Sequence, residues 1–175
     1  DATPSPHQWR QALAYLGNDP DITEIILSGG DPLTVTNNKL EFLVNELSGI
    51  ANIRRLRIHT RIPIVLPERI DDGLISILTG TRLQPVVVVH ANHAGEIDDH
   101  VANAVMKLRE ARIPLLNQSV LLKDVNDSVA VLQELSEKLF SIGIIPSSGA
   151  CAIDCRVILS RAWSAKSPVT PASCR

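Results

Sequence analysis

The chain has 175 residues, of which 45% are hydrophobic and 21% charged, and its formal net charge is −2. That length fits one ordinary domain, or a piece of a larger one, with enough residues to bury a sizeable core. The composition excludes a disordered chain, and the charge excludes the basic field that nucleic acid or an anionic membrane would attract.

Read in chain order, helical spacing over Trp9–Leu16 precedes a short strand-like run at Glu24–Leu27. That run ends in Ser28-Gly29-Gly30-Asp31-Pro32, a turn composition. Asn37-Asn38 marks a helix start, followed by Phe42, Leu43, Glu46 and Leu47 at helical spacing. A second strand at Leu56–Ile58 ends in His59-Thr60-Arg61, and Asp71-Asp72 opens another helix. A third strand, Val86–Val89, ends in His90-Ala91-Asn92-His93, and its helix carries Val101, Val105, Leu108 and Ala111. The fourth strand segment combines Leu115–Leu116 with Val120–Leu122 around Asn117-Gln118-Ser119. Asn126-Asp127-Ser128 then opens a helix bearing Val131, Leu132, Leu135 and Leu139, and a fifth strand is expected in Ile142–Ile145.

A βα unit therefore recurs about every thirty residues. Short, Ile/Val-rich runs alternating with amphipathic helices predict an α/β fold with a parallel sheet. Periodicity alone does not separate an open sheet from a barrel. Ligand-capable groups recur at the ends of four successive strands, and a barrel uses every strand end where an open sheet uses one crevice. The expectation is a barrel or an arc of one, with about four to five βα units. The competing reading of Ser28 and Asp31 is an ordinary turn.

From Ser147 the periods fade, and Pro168, Pro171 and all three cysteines fall in this tail. The expected organisation is a partial barrel over 1–146 and a divergent, poorly ordered tail over 147–175. No run of roughly eighteen apolar residues marks a spanning helix. Asp1-Ala2-Thr3-Pro4-Ser5-Pro6 lacks the basic and apolar regions of a signal peptide, so a cytoplasmic location is expected.

Four blocks carry a family resemblance: Ile26-Leu27-Ser28-Gly29-Gly30-Asp31-Pro32-Leu33; Leu56 to Ile70 (LRIHTRIPIVLPERI); His90-Ala91-Asn92-His93-Ala94-Gly95-Glu96-Ile97; and Pro114 to Asp127 (PLLNQSVLLKDVND). In this order they resemble the lysine 2,3-aminomutase family of radical S-adenosylmethionine enzymes. They are similar to the branch that makes (R)-β-lysine for attachment to elongation factor P. The resemblance implies a partial (β/α)₆ barrel whose 4Fe–4S cluster reductively cleaves S-adenosylmethionine. The 5′-deoxyadenosyl radical then takes a hydrogen from lysine held on pyridoxal phosphate, and the amino group moves from carbon 2 to carbon 3. It implies that Ser28, Gly29, Gly30 and Asp31 bind the amino group of S-adenosylmethionine, and that Arg61 and Gln118 bind the same cofactor. His90 and His93 would reach cofactor groups from the third strand, with structural hydrogen bonding as the alternative. The residue types suit those roles: glycines admit close backbone approach, Asp31 accepts from an ammonium, and Arg61 offers a planar fork to a carboxylate.

Two family features are missing. The Cys-x₃-Cys-x₂-Cys cluster motif should stand just upstream of Asp1, yet no cysteine precedes Cys151. Cys151-Ala152-Ile153-Asp154-Cys155-Arg156-Val157-Ile158 has the first two cysteines at cluster spacing, with Ile158 where the third belongs. After Pro146 the family's substrate-binding Asp and its pyridoxal lysine do not follow; Lys166 has only a faint likeness to the latter. The expectation is a fragment truncated before Asp1, divergent after Pro146 and inactive by itself. Two further readings compete: a metal-dependent barrel hydrolase using His59, His90 and His93 with Asp31, and a non-catalytic remnant that binds S-adenosylmethionine or a partner protein.

Overall fold

The computed structural model of the protein describes residues 6–147. Five parallel strands form one sheet in the order β1-β2-β3-β4-β5: Glu24–Leu27, Arg55–Thr60, Gln84–Val89, Leu115–Gln118 and Ile145–Ser147. The helices are α1 (Pro6–Asn18), α2 (Asn37–Ser48), the single turn α3 (Ile62–Val65), α4 (Asp72–Thr79), α5 (Asp99–Glu110) and α6 (Val129–Ile142). Each strand pairs with the next in the chain, so the strand order never reverses. Right-handed crossovers then place every connecting helix on the same face, as in a barrel wall and unlike a doubly wound sheet. The expected partial barrel is what the chain forms.

Side chains alternate across the strands, and the register assigns them to two faces. Toward the helices point Ile25, Leu27, Leu56, Ile58, Val87, Val89 and Leu115. They share one buried core with Leu40, Leu43, Val44 and Leu47 of α2, Leu74 and Leu78 of α4, Val101, Val105 and Leu108 of α5, and Leu135 and Leu139 of α6. The spacing i, i+3, i+4, i+7 in α2 is the apolar stripe of a helix packed on one side. The opposite, concave face carries Glu24 and Ile26, then Arg55, Arg57 and His59, then Val86 and Val88, then Leu116 and Gln118. A polar inner face beside an apolar outer one positions the site.

Helix starts agree with the sequence cues in part. Asp71 caps α4 by accepting from the Leu74 N–H at 2.6 Å, and Ser128 caps α6. Asp98 caps α5 through the Val101 N–H at 2.9 Å.

Two strand expectations are corrected. Val120–Leu122 is no strand: β4 ends at Gln118 and these three side chains are exposed. A short apolar run looks the same whether it is a buried strand or an exposed loop. The fifth strand begins at Ile145, because α6 runs on to Ile142 and closes at Gly143, whose φ of 85° is the left-handed helix stop that favours glycine. Among the described residues no helix is long and apolar enough to cross a membrane.

Candidate functional site at the C-terminal edge of the sheet

The loop after β1 turns through two consecutive left-handed glycines, Gly29 (φ 88°) and Gly30 (φ 56°). A Cβ would be strained at both, and both residues are exposed, so bare backbone faces out at the strand end. Asp31 follows and organises the loop. Its Oδ1 accepts from the Leu33 N–H at 3.0 Å and the Thr60 hydroxyl at 2.7 Å, and its Oδ2 accepts from the Arg61 N–H at 2.6 Å. Thr60 Oγ1 in turn accepts from the Ile62 N–H at 3.0 Å. A carboxylate offers about four lone-pair positions. Three are taken here, leaving one on Oδ2 for a ligand.

The second strand sends His59 onto the concave face, where its Nδ1 lies 3.3 Å from Nε2 of His90. The rings meet edge to face, with centroids 5.5 Å apart and planes at 74°. His59 Nε2 is buried without a hydrogen-bond partner. Burial first, then the neighbouring His90 and the Arg57 cation, push the His59 pKa down to about 4, against the Gln118 side chain and Glu24. Burial also lowers His90, with Asp31 opposing and Arg61 assisting. Below the pair, buried Arg57 donates to Glu24 Oε1 at 2.8 Å through both Nε and Nη2, and Arg55 reaches Oε2 at 3.3 Å.

Arg61 does not hold its fork free. Its Nη2 lies 2.6 Å from Glu96 Oε2. Glu96 Oε1 meanwhile accepts from the Asn92 and His93 N–H groups at 2.7 and 2.9 Å, the reciprocal cap of the short turn Ala94–Glu96. The guanidinium is still half exposed, so its remaining donors face solvent at the mouth.

Two asparagines fix the loops around these groups. Buried Asn117 accepts from the Ala91 N–H at 2.9 Å and donates to the Ala91 carbonyl at 3.1 Å, clamping the end of β3. Asn126, fully buried, donates to the carbonyls of Asn92 and Val120 and accepts from the Leu122 N–H. Asn126 had read as part of a helix start; burial in a bracket between two loops has no local sequence signal.

Ser28, His90 and Gln118 thus stand on the concave side of the C-terminal edge, with Gly29, Gly30, Asp31 and Arg61 on the adjoining loops. His93 is not brought to them: its Nδ1 accepts from the Gly95 N–H at 3.0 Å within its own turn. This removes the geometry of the hydrolase reading. His59 bonds to His90, His93 caps a turn and Asp31 is committed to β2, so they do not converge; among the described residues no three His, Cys, Asp or Glu side chains are grouped to hold a metal.

The donor set suits S-adenosylmethionine, which combines an ammonium, a carboxylate and ribose hydroxyls: an orphaned buried imidazole nitrogen, open glycine backbone and one free carboxylate position meet it here. An iron–sulfur cluster does not fit residues 6–147, which contain no cysteine. Nor does an aldimine with pyridoxal phosphate, since Lys39, Lys107 and Lys138 lie on helices and Lys123 on an exposed loop. Cys151, Cys155 and Lys166 lie outside the described residues.

No family model matches the chain. Comparison with curated proteins is more informative. An L-lysine 2,3-aminomutase of Haemophilus influenzae is 49% identical over 138 residues, covering 79% of this chain and 41% of that protein. Proteins of the same name from Buchnera aphidicola and Escherichia coli are 50% and 46% identical, covering 77% and 79% of this chain and 40% of each relative. The chain belongs to the lysine 2,3-aminomutase family. It spans about two fifths of the length of the curated relatives it matches. Within the family frame, the parallel arc and its polar C-terminal edge are the barrel wall and mouth.

Proposed function

We propose that these residues are the central barrel wall of a lysine 2,3-aminomutase-type isomerase that converts L-lysine to (R)-β-lysine, and that the C-terminal edge binds S-adenosylmethionine. What carries the reading is one observation: Ser28, His59, His90 and Gln118 occupy the same concave edge of an unreversed parallel sheet, beside a Gly29-Gly30 turn that bares its backbone. The order of the strands supports it, because barrels concentrate chemistry at this edge.

When bound, S-adenosylmethionine supplies the family's hydrogen-abstracting radical chemistry. The work of this chain is to bind and orient. Gly29 and Gly30 let the ligand approach the backbone, and the free position on Asp31 Oδ2 accepts from its ammonium. The outward donors of Arg61 take a carboxylate while Glu96 holds the fork in place. Gln118 both donates and accepts, and His90 completes the set. Asn117 and Asn126 keep the third and fourth strand ends from spreading.

Cluster ligation and pyridoxal binding belong, in this reading, to other parts of the parent protein, and the 175-residue chain alone is inactive. The product would serve modification of elongation factor P in the cytoplasm. The test is anaerobic reconstitution of the complete gene product with iron, sulfide and pyridoxal phosphate. Incubation with L-lysine, S-adenosylmethionine and a reductant should yield β-lysine by mass spectrometry. Turnover of another amino acid in place of lysine would overturn the substrate, and unchanged S-adenosylmethionine would overturn the reaction class. Transfer of the product to elongation factor P by its modification enzyme would test the destination.

A further inference from the structure

We propose that Glu96 is a positioning residue that determines how Arg61 reads a ligand carboxylate: by occupying one guanidinium donor it fixes which two-pronged face meets that group. That Arg61 takes a carboxylate rests on the reading above. S-adenosylmethionine and lysine both carry one beside an amino group, so the chemistry is an α-amino acid carboxylate from either source.

A half-exposed arginine ordinarily samples many rotamers, and a surface ion pair contributes little because two long side chains must be held at once. Here one partner is already held. Glu96 Oε1 accepts from the Asn92 and His93 N–H groups at 2.7 and 2.9 Å, which leaves Oε2 for Arg61 Nη2, 2.6 Å away. Asn92 is anchored in turn from the β4 side. Its Oδ1 accepts from the Val120 N–H and its carbonyl from the Asn126 side chain, both at 2.8 Å. At its other end, the Arg61 N–H donates to Asp31 Oδ2 on the β1 loop. Loops from neighbouring strands therefore grip Arg61 at both its backbone and its tip.

Nη2 carries two hydrogens, one on each two-pronged face: with Nε it forms the side face, with Nη1 the end face. Glu96 takes one of them. Whichever it takes, the other face keeps both donors, and among the described residues the guanidinium has no second partner. A carboxylate arriving at the mouth thus meets one complete fork in a set direction. Charge alone predicts the opposite effect of Glu96. The carboxylate partly neutralises Arg61, so removing its charge should make the cation a stronger attractor for any anion. Positioning predicts weaker binding instead, and only for ligands that carry the carboxylate.

The complete gene product, reconstituted anaerobically and kept without reductant, is titrated by calorimetry with two pairs of ligands. They are S-adenosylmethionine with its decarboxylated form, and L-lysine with L-lysinamide. Glu96→Gln keeps an amide oxygen for the Asn92 and His93 N–H groups and turns an NH₂ group toward Arg61. It should weaken the acid that Arg61 holds about tenfold, and leave that acid's carboxylate-free counterpart within about twofold. The pair that splits identifies the source of the carboxylate, and the unmoved counterpart shows that the fold is intact. Unchanged or tighter binding of both acids would overturn the proposal. Equal weakening of an acid and its counterpart would overturn it too, as the mark of a merely structural rim. If Arg61→Ala leaves both acids unweakened, the carboxylate reading of Arg61 fails and takes the ligand half of this proposal with it, whatever Glu96→Gln does.

Discussion

The backbone N–H of Arg61 donates to Oδ2 of Asp31 at 2.6 Å while the Thr60 hydroxyl donates to Oδ1 at 2.7 Å, so one carboxylate ties the β1 loop to the end of β2. Asp31 is therefore a fastening as well as a candidate ligand. Replacing it with Ala strands three donors, the partly buried Leu33 N–H and Thr60 hydroxyl and the exposed Arg61 N–H, and should lower stability by about 1–3 kcal/mol. In the complete protein the same change should weaken S-adenosylmethionine binding by roughly tenfold to a hundredfold, from the lost charge-assisted bond and the loosened loop. Asp71→Ala removes the α4 cap to Leu74 and should lower stability by about 1 kcal/mol without altering affinity. Urea midpoints and calorimetric titrations of the two variants separate these effects. Unchanged affinity for Asp31→Ala would leave that residue as a fastening alone.

Stability should fall as the pH drops from neutrality. His59 is pushed down to about 4 from its ordinary 6.5, and His90 is also lowered. Between those values the unfolded chain binds protons that the folded chain refuses, so acid favours unfolding. The contribution is intact above about pH 6.5 and is lost progressively toward pH 4. Urea midpoints at pH 7 and pH 5 should differ in that direction, and His59→Gln should flatten the difference. A midpoint equal or higher at pH 5 would show that the pair is not held neutral by the fold.

Arg112 follows α5 with a φ of 58°, a conformation in which a β-carbon is strained. It stands where helices often place glycine, and the Ile113 N–H closes back on the Leu108 carbonyl at 3.0 Å. The side chain is exposed, so Arg112→Gly should raise stability by about 0.5–1 kcal/mol despite the extra chain entropy of glycine. Thermal unfolding would register this as a higher midpoint. A lower one would mean that the guanidinium contributes more than its exposure suggests.

Reconstituted anaerobically with iron and sulfide, the 175-residue chain should not retain a 4Fe–4S cluster. The barrel residues offer no thiolate, and of the three cysteines only Cys151 and Cys155 stand at cluster spacing, with Ile158 where the third belongs. Iron analysis and the visible spectrum test this. About four irons per chain, lost on changing Cys151 and Cys155 to Ser, would show that the tail does build a site.

The alternation of buried runs and amphipathic stripes was enough, in the linear sequence, to place a parallel α/β sheet and to locate β1 to β4 within a few residues. Strands covered on both faces must be dense in Ile, Leu and Val, and helices packed on one side must show a stripe, so both leave periods a reader can count. The polar strand ends were legible for the same reason: Ser28, His59, His90 and Gln118 interrupt apolar runs at matching points. Those periods could not say which of these groups touch. Asp31 meets Thr60 across 29 residues of chain, Arg61 meets Glu96 across 35, and Asn117 meets Ala91 across 26. Such bonds join neighbouring βα units, and only the pairing register of the sheet brings their ends together. Hence a plausible metal set dissolved into a histidine pair, a turn cap and a fastening carboxylate, and Asn126 moved from a helix start to a buried bracket. Exposure of Val120–Leu122 was hidden for a related reason: whether an apolar run is covered depends on where its neighbours in space end, and β4 ends at Gln118.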